Sequence, residues 1–98
     1  MRTGPTMSID ERTKMKTSRH VYAREFDGDL VLLDLGKGQY YGLDTIGARL
    51  WAGIGSGRTV ADVAAELAPE YEVDAEVVRA DLLELLRDLV EKGLVEPV

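Results

Sequence analysis

Gln39-Tyr40-Tyr41-Gly42-Leu43-Asp44-Thr45-Ile46-Gly47-Ala48-Arg49-Leu50-Trp51 is the stretch that decides how this chain folds. Tyr41 and Leu43 alternate with Tyr40 and Gly42, the period of two that a half-buried strand requires. Asp44 or Thr45 can then cap a helix that carries Ile46, Leu50 and Trp51. Two tyrosines and the lone tryptophan make up half of the six aromatic residues, so the core and any recognition surface are both expected to be anchored here. A sheet edge against a helix is the candidate working surface.

Working outward toward the N-terminus, Gly36-Lys37-Gly38 reads as a turn. Before it, Leu30-Val31-Leu32-Leu33-Asp34-Leu35 is apolar on nearly both faces and suits a central strand. Val21, Ala23 and Glu25 alternate with Tyr22, Arg24 and Phe26, and Asp27-Gly28-Asp29 supplies a hairpin turn, because Asp and Gly tolerate positive φ. The expectation is an antiparallel meander of three strands with the first and third at its edges. Met1 to Thr17 mixes Gly, Pro, Ser, Thr and charges without apolar periodicity, so residues 1–19 are expected to be a flexible arm and residues 20–98 the folded domain.

Toward the C-terminus the period changes to that of helices. Ile46, Leu50 and Ile54 recur every four residues with Trp51 beside them, and Gly53, Gly55 and Gly57 end that run. Thr59 is the expected N-cap of a second helix carrying Val60, Val63, Ala64 and Leu67, with Pro69 closing it. Asp74 caps the longest element, Ala75 to about Lys92, ended by Gly93. Its central stripe is Val78, Leu82, Leu85, Leu86 and Leu89, widened on one side by Leu83 and Val90 next to Arg79. That width suits extra core burial or one wall of an apolar groove. Leu94 and Val95 are expected to pack back on the sheet.

With 98 residues the chain has room for one modest core, which favours a binding module over an enzyme with a large closed cavity. There is no cysteine, which excludes disulfides and thiolate chemistry and fits a reducing, cytoplasmic setting. No apolar run approaches the roughly 20 residues of a membrane span, and the first sixteen residues lack the apolar centre of a secretory signal, so a soluble, unprocessed protein is expected. The net charge of −6 is lopsided: residues 1–25 sum to +3 and residues 26–98 to −9. An acidic domain repels the phosphate backbone, so no nucleic acid and no membrane are expected as partners, and a basic or neutral peptide is the easier one.

Nothing in the sequence assembles a reaction centre. His20 is the only histidine and has no cysteine or second histidine to share a metal, so it is expected to sit at a strand end. Gly53, Gly55 and Gly57 lack the Lys and Ser/Thr of a phosphate loop. The carboxylate pairs Asp81 with Glu84 and Asp88 with Glu91 read as a solvated helix face. The expectation is no catalytic residue, no metal and no cofactor. The first two helices, separated by a glycine turn, resemble a helix-turn-helix, but Asp62, Glu66, Glu70 and Glu72 stand where a DNA-reading surface needs Arg, Lys, Asn or Gln.

Three strands and then three helices, with Gly38-Gln39-Tyr40-Tyr41-Gly42-Leu43-Asp44 entering a helix that carries Gly47 and Trp51, resemble the PqqD-like family. The likeness extends over Val21 to Glu96 and includes Thr59 to Leu67, the closing helix and Gly93-Leu94-Val95. It implies an α+β, winged helix-turn-helix-like recognition element for ribosomally synthesised, post-translationally modified peptides, which takes up the leader segment of a precursor as an added strand. On that resemblance the peptide-binding residues are Gln39, Tyr40, Tyr41, Gly42 and Leu43 at the edge, with Arg79, Leu83, Leu86 and Val90 as the groove wall. A free-standing chain of this length looks most like the leader-binding protein of lasso peptide clusters, which presents the precursor to a separate leader peptidase and then a cyclase. The alternatives are a peptide chaperone of pyrroloquinoline quinone biosynthesis and, from a different class, a winged-helix DNA-binding regulator.

Overall fold

The structure is a computed structural model and describes residues 9–98. The elements in chain order are β1 (Met15–Thr17), β2 (Val21–Phe26), β3 (Asp29–Asp34), β4 (Gln39–Leu43), α1 (Thr45–Gly55), α2 (Val60–Tyr71), α3 (Ala75–Glu91) and β5 (Val95–Pro97). The expected α+β class is present, with an antiparallel sheet in the order β2-β3-β4 followed by three helices.

Each sheet junction has a local chemical cause. Asp27 and Gly28 both adopt positive φ (50° and 88°), which closes a two-residue turn between Phe26 and Asp29 and matches the right-handed twist of the strands. At the next corner the fully buried Asp34 accepts hydrogen bonds at Oδ1 from the Gly36 and Lys37 backbone N–H groups (2.9 and 3.2 Å). Its carboxylate thereby fixes the turn that launches β4.

The inward face of the sheet carries Leu30, Leu32 and Asp34 opposite Leu43, Tyr41 and Gln39. Helix α1 lies against this face, started by Asp44, whose carboxylate accepts from the Gly47 N–H at 2.9 Å. Thr59 and Asp62 form a reciprocal capping box for α2, and Asp74 caps α3. The core joins Leu32 of the sheet to Leu50 and Ile54 of α1, Val63 and Leu67 of α2, and Leu82, Leu86 and Leu89 of α3. Gly53 allows the close approach of α1 and α2, since a Cβ there would stand 2.6 Å from the Val63 side chain.

Three expectations are corrected. Residues 9–19 belong to the folded unit and not to an arm: β1 pairs with β5 (Met15↔Pro97, Thr17↔Val95), and Ile9 and Met15 are buried in the core. Residues 1–8 of the expected arm lie outside the described residues. The same ribbon takes up the backbone of Leu94 and Val95, which are buried in the core with Leu32 but do not pair with the three-stranded sheet; Val95 pairs with Thr17, and the Ser18 N–H donates to the Leu94 carbonyl. Finally, Pro69 does not close α2, which runs to Tyr71. A proline in the last turn withholds only its own N–H. The helix ends at Glu72, whose left-handed backbone (φ 55°) lets the Val73 N–H return to the Ala68 carbonyl.

Candidate functional site

The backbone hydrogen-bond phase shows what β4 offers. Leu35 N–H donates to the His20 carbonyl, so the odd-numbered residues of β3 point their backbone groups toward β2 and Leu30, Leu32 and Asp34 point theirs toward β4. Their partners Leu43, Tyr41 and Gln39 are thereby bonded inward. Tyr40 and Gly42 alternate with them and aim N–H and C=O away from the sheet, along an edge with no strand partner among the described residues. A Cβ added at Gly42 meets nothing within 4 Å, so the outer face of the sheet beside this edge is open.

Helix α3 stands beside the edge, and the turn before β4 is tied to its end. Lys37 Nζ donates to the carbonyl of Lys92, the C-cap of α3, at 3.3 Å, where the helix dipole favours a cation. Lys92 Nζ lies 5.8 Å from the centre of the Tyr41 ring, a cation–π separation. The same ammonium is hydrogen-bonded to Asp88 at 2.6 Å, which raises its pKa above the ordinary lysine value. Further along, Leu43 and Leu85 come together over Gly47; a Cβ there would lie 3.1 Å from Leu43 and 3.4 Å from Leu85. The channel between β4 and α3 is thus the strip bounded at one end by Lys37, Tyr41 and Lys92 and at the other by Leu43 and Leu85.

Of the expected site residues, β4 holds its five in these positions. Tyr40 and Gly42 are exposed, Tyr41 is half-buried with its hydroxyl donated to Gln39 Oε1 at 2.7 Å, and Leu43 is buried. The four on α3 are not brought to β4. At about 100° per residue, Arg79, Leu83, Leu86 and Val90 lie 100° or more around the helix from Leu85 and Lys92. Leu86 is 0% exposed, a core residue. Arg79 Nε pairs with Glu11 at 3.0 Å, Arg87 donates to the Ile9 carbonyl, and Val90 and Ile9 line one surface depression. That flank is covered by residues 9–11 of the same chain. The α3 residues that stand beside β4 are instead Leu85 and Lys92, of which Leu85 had read simply as core. The only hint of it in the sequence is Gly47, a glycine inside a helix where two bulky side chains must pass.

Charges around the channel are mostly acidic. Asp81, Glu84 and Asp88 project from α3 on the solvent side of Leu85, so a cationic side chain finds carboxylates there. His20 Nε2 lies 3.7 Å from Asp34 Oδ1 at the β3–β4 turn, a position consistent with a strand-end role. Among the described residues no three His, Cys, Asp or Glu side chains converge as metal ligands.

A small α+β module with an open sheet edge, walled by the last helix of three, is thus the class that the fold and site define. Residues 29–95 match the family described as coenzyme PQQ synthesis protein D (PqqD), and the chain belongs to that family. Among solved structures it is similar to TbiB1 in complex with the TbiA(beta) leader peptide, at 37% identity over 83% of this chain and 94% of that one, with a TM-score of 0.77. It is also similar to a lasso peptide synthetase B1 complexed with the leader peptide, at 30% identity over 86% of this chain and 99% of that one, with a TM-score of 0.79. No curated protein matches it.

Proposed function

We propose that this chain binds the leader segment of a ribosomally synthesised precursor peptide as an added strand on β4, and presents it to a partner leader peptidase and cyclase in lasso peptide biosynthesis. The observation that carries the reading is the outward pair of backbone groups at Tyr40 and Gly42, beside the Leu43–Leu85 channel, in a PqqD-family chain 37% identical to leader-bound TbiB1. Backbone pairing provides affinity with little sequence preference, and the channel selects alternate side chains. The acidic border of α3 favours leaders carrying Lys or Arg. The chain contributes no chemistry and no cofactor of its own, and works in the cytoplasm; among the described residues no helix is long and apolar enough to cross a membrane.

The family's description favours a second reading, the peptide chaperone of pyrroloquinoline quinone biosynthesis, which uses the same edge for a different precursor. A DNA-binding regulator is disfavoured by charge pairing: Arg49 and Arg58, the cations of α1 and of the turn before α2, are engaged by Glu66 and Glu70. An amide NMR titration separates the readings. Shifts centred on Gln39 to Leu43 and on Leu85 and Lys92 with a lasso leader peptide, and none with duplex DNA, are expected. Preference for a quinone-cofactor precursor redirects the pathway, and shifts on Thr59 to Leu67 with DNA refute the peptide reading.

A further inference from the structure

Lys37, in the turn between β3 and β4, is a cation without a carboxylate partner among the described residues. Of the other Lys and Arg side chains in the acidic domain, Arg49, Arg58, Arg79 and Lys92 are paired with carboxylates, and Arg87 reaches the Ile9 carbonyl. The Lys37 ammonium donates instead to the Lys92 carbonyl, at 3.3 Å. Its backbone is fixed. Buried Asp34 accepts from the Gly36 and Lys37 N–H groups, and Gly38 leads into β4 at φ 67° with its N–H bonded to the Asp34 carbonyl at 2.7 Å. The exposed Lys37 side chain therefore springs from a rigid turn immediately before the open edge. From there contacts run in series to the edge itself: Lys37 rests on the Lys92 carbonyl, Lys92 Nζ lies 5.8 Å from the Tyr41 ring centre, and the Tyr41 hydroxyl donates to Gln39 Oε1.

Resting on the strand-addition reading, we infer that Lys37, Lys92 and Gln39 form a carboxylate site, which receives an Asp or Glu side chain of the bound peptide at the end of its paired segment beside Gln39. Each of the three has donors to spare. Lys37 and Lys92 each spend only part of an ammonium within the chain, on the Lys92 carbonyl and on Asp88. Gln39 has its oxygen occupied by Tyr41, so its amide NH2 is what remains. Asp88, the carboxylate bonded at this end, is taken up by Lys92. The C-terminus of α3 alone repels an anion, and the Lys37 ammonium seated on the Lys92 carbonyl offsets that repulsion. Cationic donors of this kind make short, strong bonds to a carboxylate, and the fixed turn leaves little ordering to be done on binding. Charge then sets the direction of the strand, which backbone pairing leaves open. The antiparallel ladder is the more stable, so the carboxylate falls on the C-terminal side of the paired residues.

The test uses the full chain and a fluorescein-labelled synthetic peptide spanning the leader of the precursor encoded beside it, read by anisotropy at about 20 mM and about 500 mM salt. Lys37→Gln and Lys37→Glu change one exposed side chain and keep the backbone bonds of the turn, so circular dichroism and the melting curve stay near wild type. At low salt, binding is expected to weaken about 3- to 5-fold in Lys37→Gln and about 10-fold in Lys37→Glu, and both losses shrink at high salt. Each acidic residue of the peptide is then changed to Lys in turn. One of them, on the C-terminal side of the paired segment, should weaken wild type and restore binding to Lys37→Glu, a reversal that a purely structural role for Lys37 does not produce. Losses below about twofold in both variants, or a loss that no Lys-substituted peptide reverses, overturn the carboxylate site. Strand addition still stands in that case if Gly42→Pro, which removes an outward N–H, is defective. If wild type binds no leader, the strand-addition reading fails and the carboxylate site falls with it.

Discussion

The two edges of the β2-β3-β4 sheet present the same backbone chemistry and differ in what stands beside them. On β2 the outward N–H and C=O groups belong to Val21, Ala23 and Glu25, of which the Val21 N–H is taken by the Ser18 carbonyl, and every residue from Tyr22 to Phe26 is exposed, whichever face it points to. On β4 they belong to Tyr40 and Gly42, while the inward neighbours Tyr41 and Leu43 are covered by α1 and faced by α3. A bare edge invites any strand, and β2 protects itself with Arg24 and Glu25. A walled edge can discriminate, because every second side chain of an incoming strand must fit between β4 and α3. On the proposed function, the wall therefore confers specificity on β4.

The comparison breaks most readily at Leu85. Leu85→Asp puts an unpaired charge into the channel and should weaken leader binding by about 100-fold, or about 3 kcal/mol, measured by calorimetry on protein that still unfolds cooperatively. Retained affinity would show that α3 is not the wall. Next comes the edge itself: Gly42→Pro removes an outward N–H without touching the ladder to β3, and should cost about tenfold, whereas Ala23→Pro, its counterpart on β2, should leave binding within about twofold. Equal losses at both edges would erase the distinction between them.

A smaller effect sharpens the assignment of the α3 flanks. Arg79→Ala, which loses the ion pair to Glu11, should leave peptide affinity within about twofold and reduce stability by about 1 kcal/mol or less, since the pair is partly exposed. A large loss of affinity would restore Arg79 to the binding site. The last prediction concerns the scaffold common to both edges. Hydrogen bonds from the Thr59 backbone and hydroxyl hold the Asp62 carboxyl below its ordinary pKa, so the capping box contributes stability above that ordinary value and loses it as pH falls through the lowered one. Acid titration of the melting temperature should therefore drop less steeply in Asp62→Asn than in wild type at the low end, while both β-edges respond alike.

Much of the fold was legible because its causes are local. The handover from strand to helix at Leu43-Asp44-Thr45 needs only alternation followed by a cap, and both are written in adjacent residues. The Asp27-Gly28 turn, the Thr59 and Asp74 caps and the long apolar stripe of α3 are likewise short-range, as is the choice of β4 as the edge strand. The first ribbon strand was not legible. Ile9 and Met15 are single apolar residues in a polar stretch, without a period to reveal burial, and their partners lie about eighty residues away.

Sequence by itself determined which faces of the three helices and of β2 to β4 are apolar, where those elements begin, and that the domain is acidic. Only the tertiary structure decided which flank of α3 faces the open strand. Both flanks beside Leu82, Leu86 and Leu89 carry apolar residues, Val78 and Leu85 on one and Leu83 and Val90 on the other, so periodicity marks them equally. The choice is made when residues 9–11 fold over Arg79 and Val90 and the Lys37 turn ties β4 to Lys92. Those are long-range contacts, and a pattern that repeats every 3.6 residues records that a helix is buried without recording what buries it.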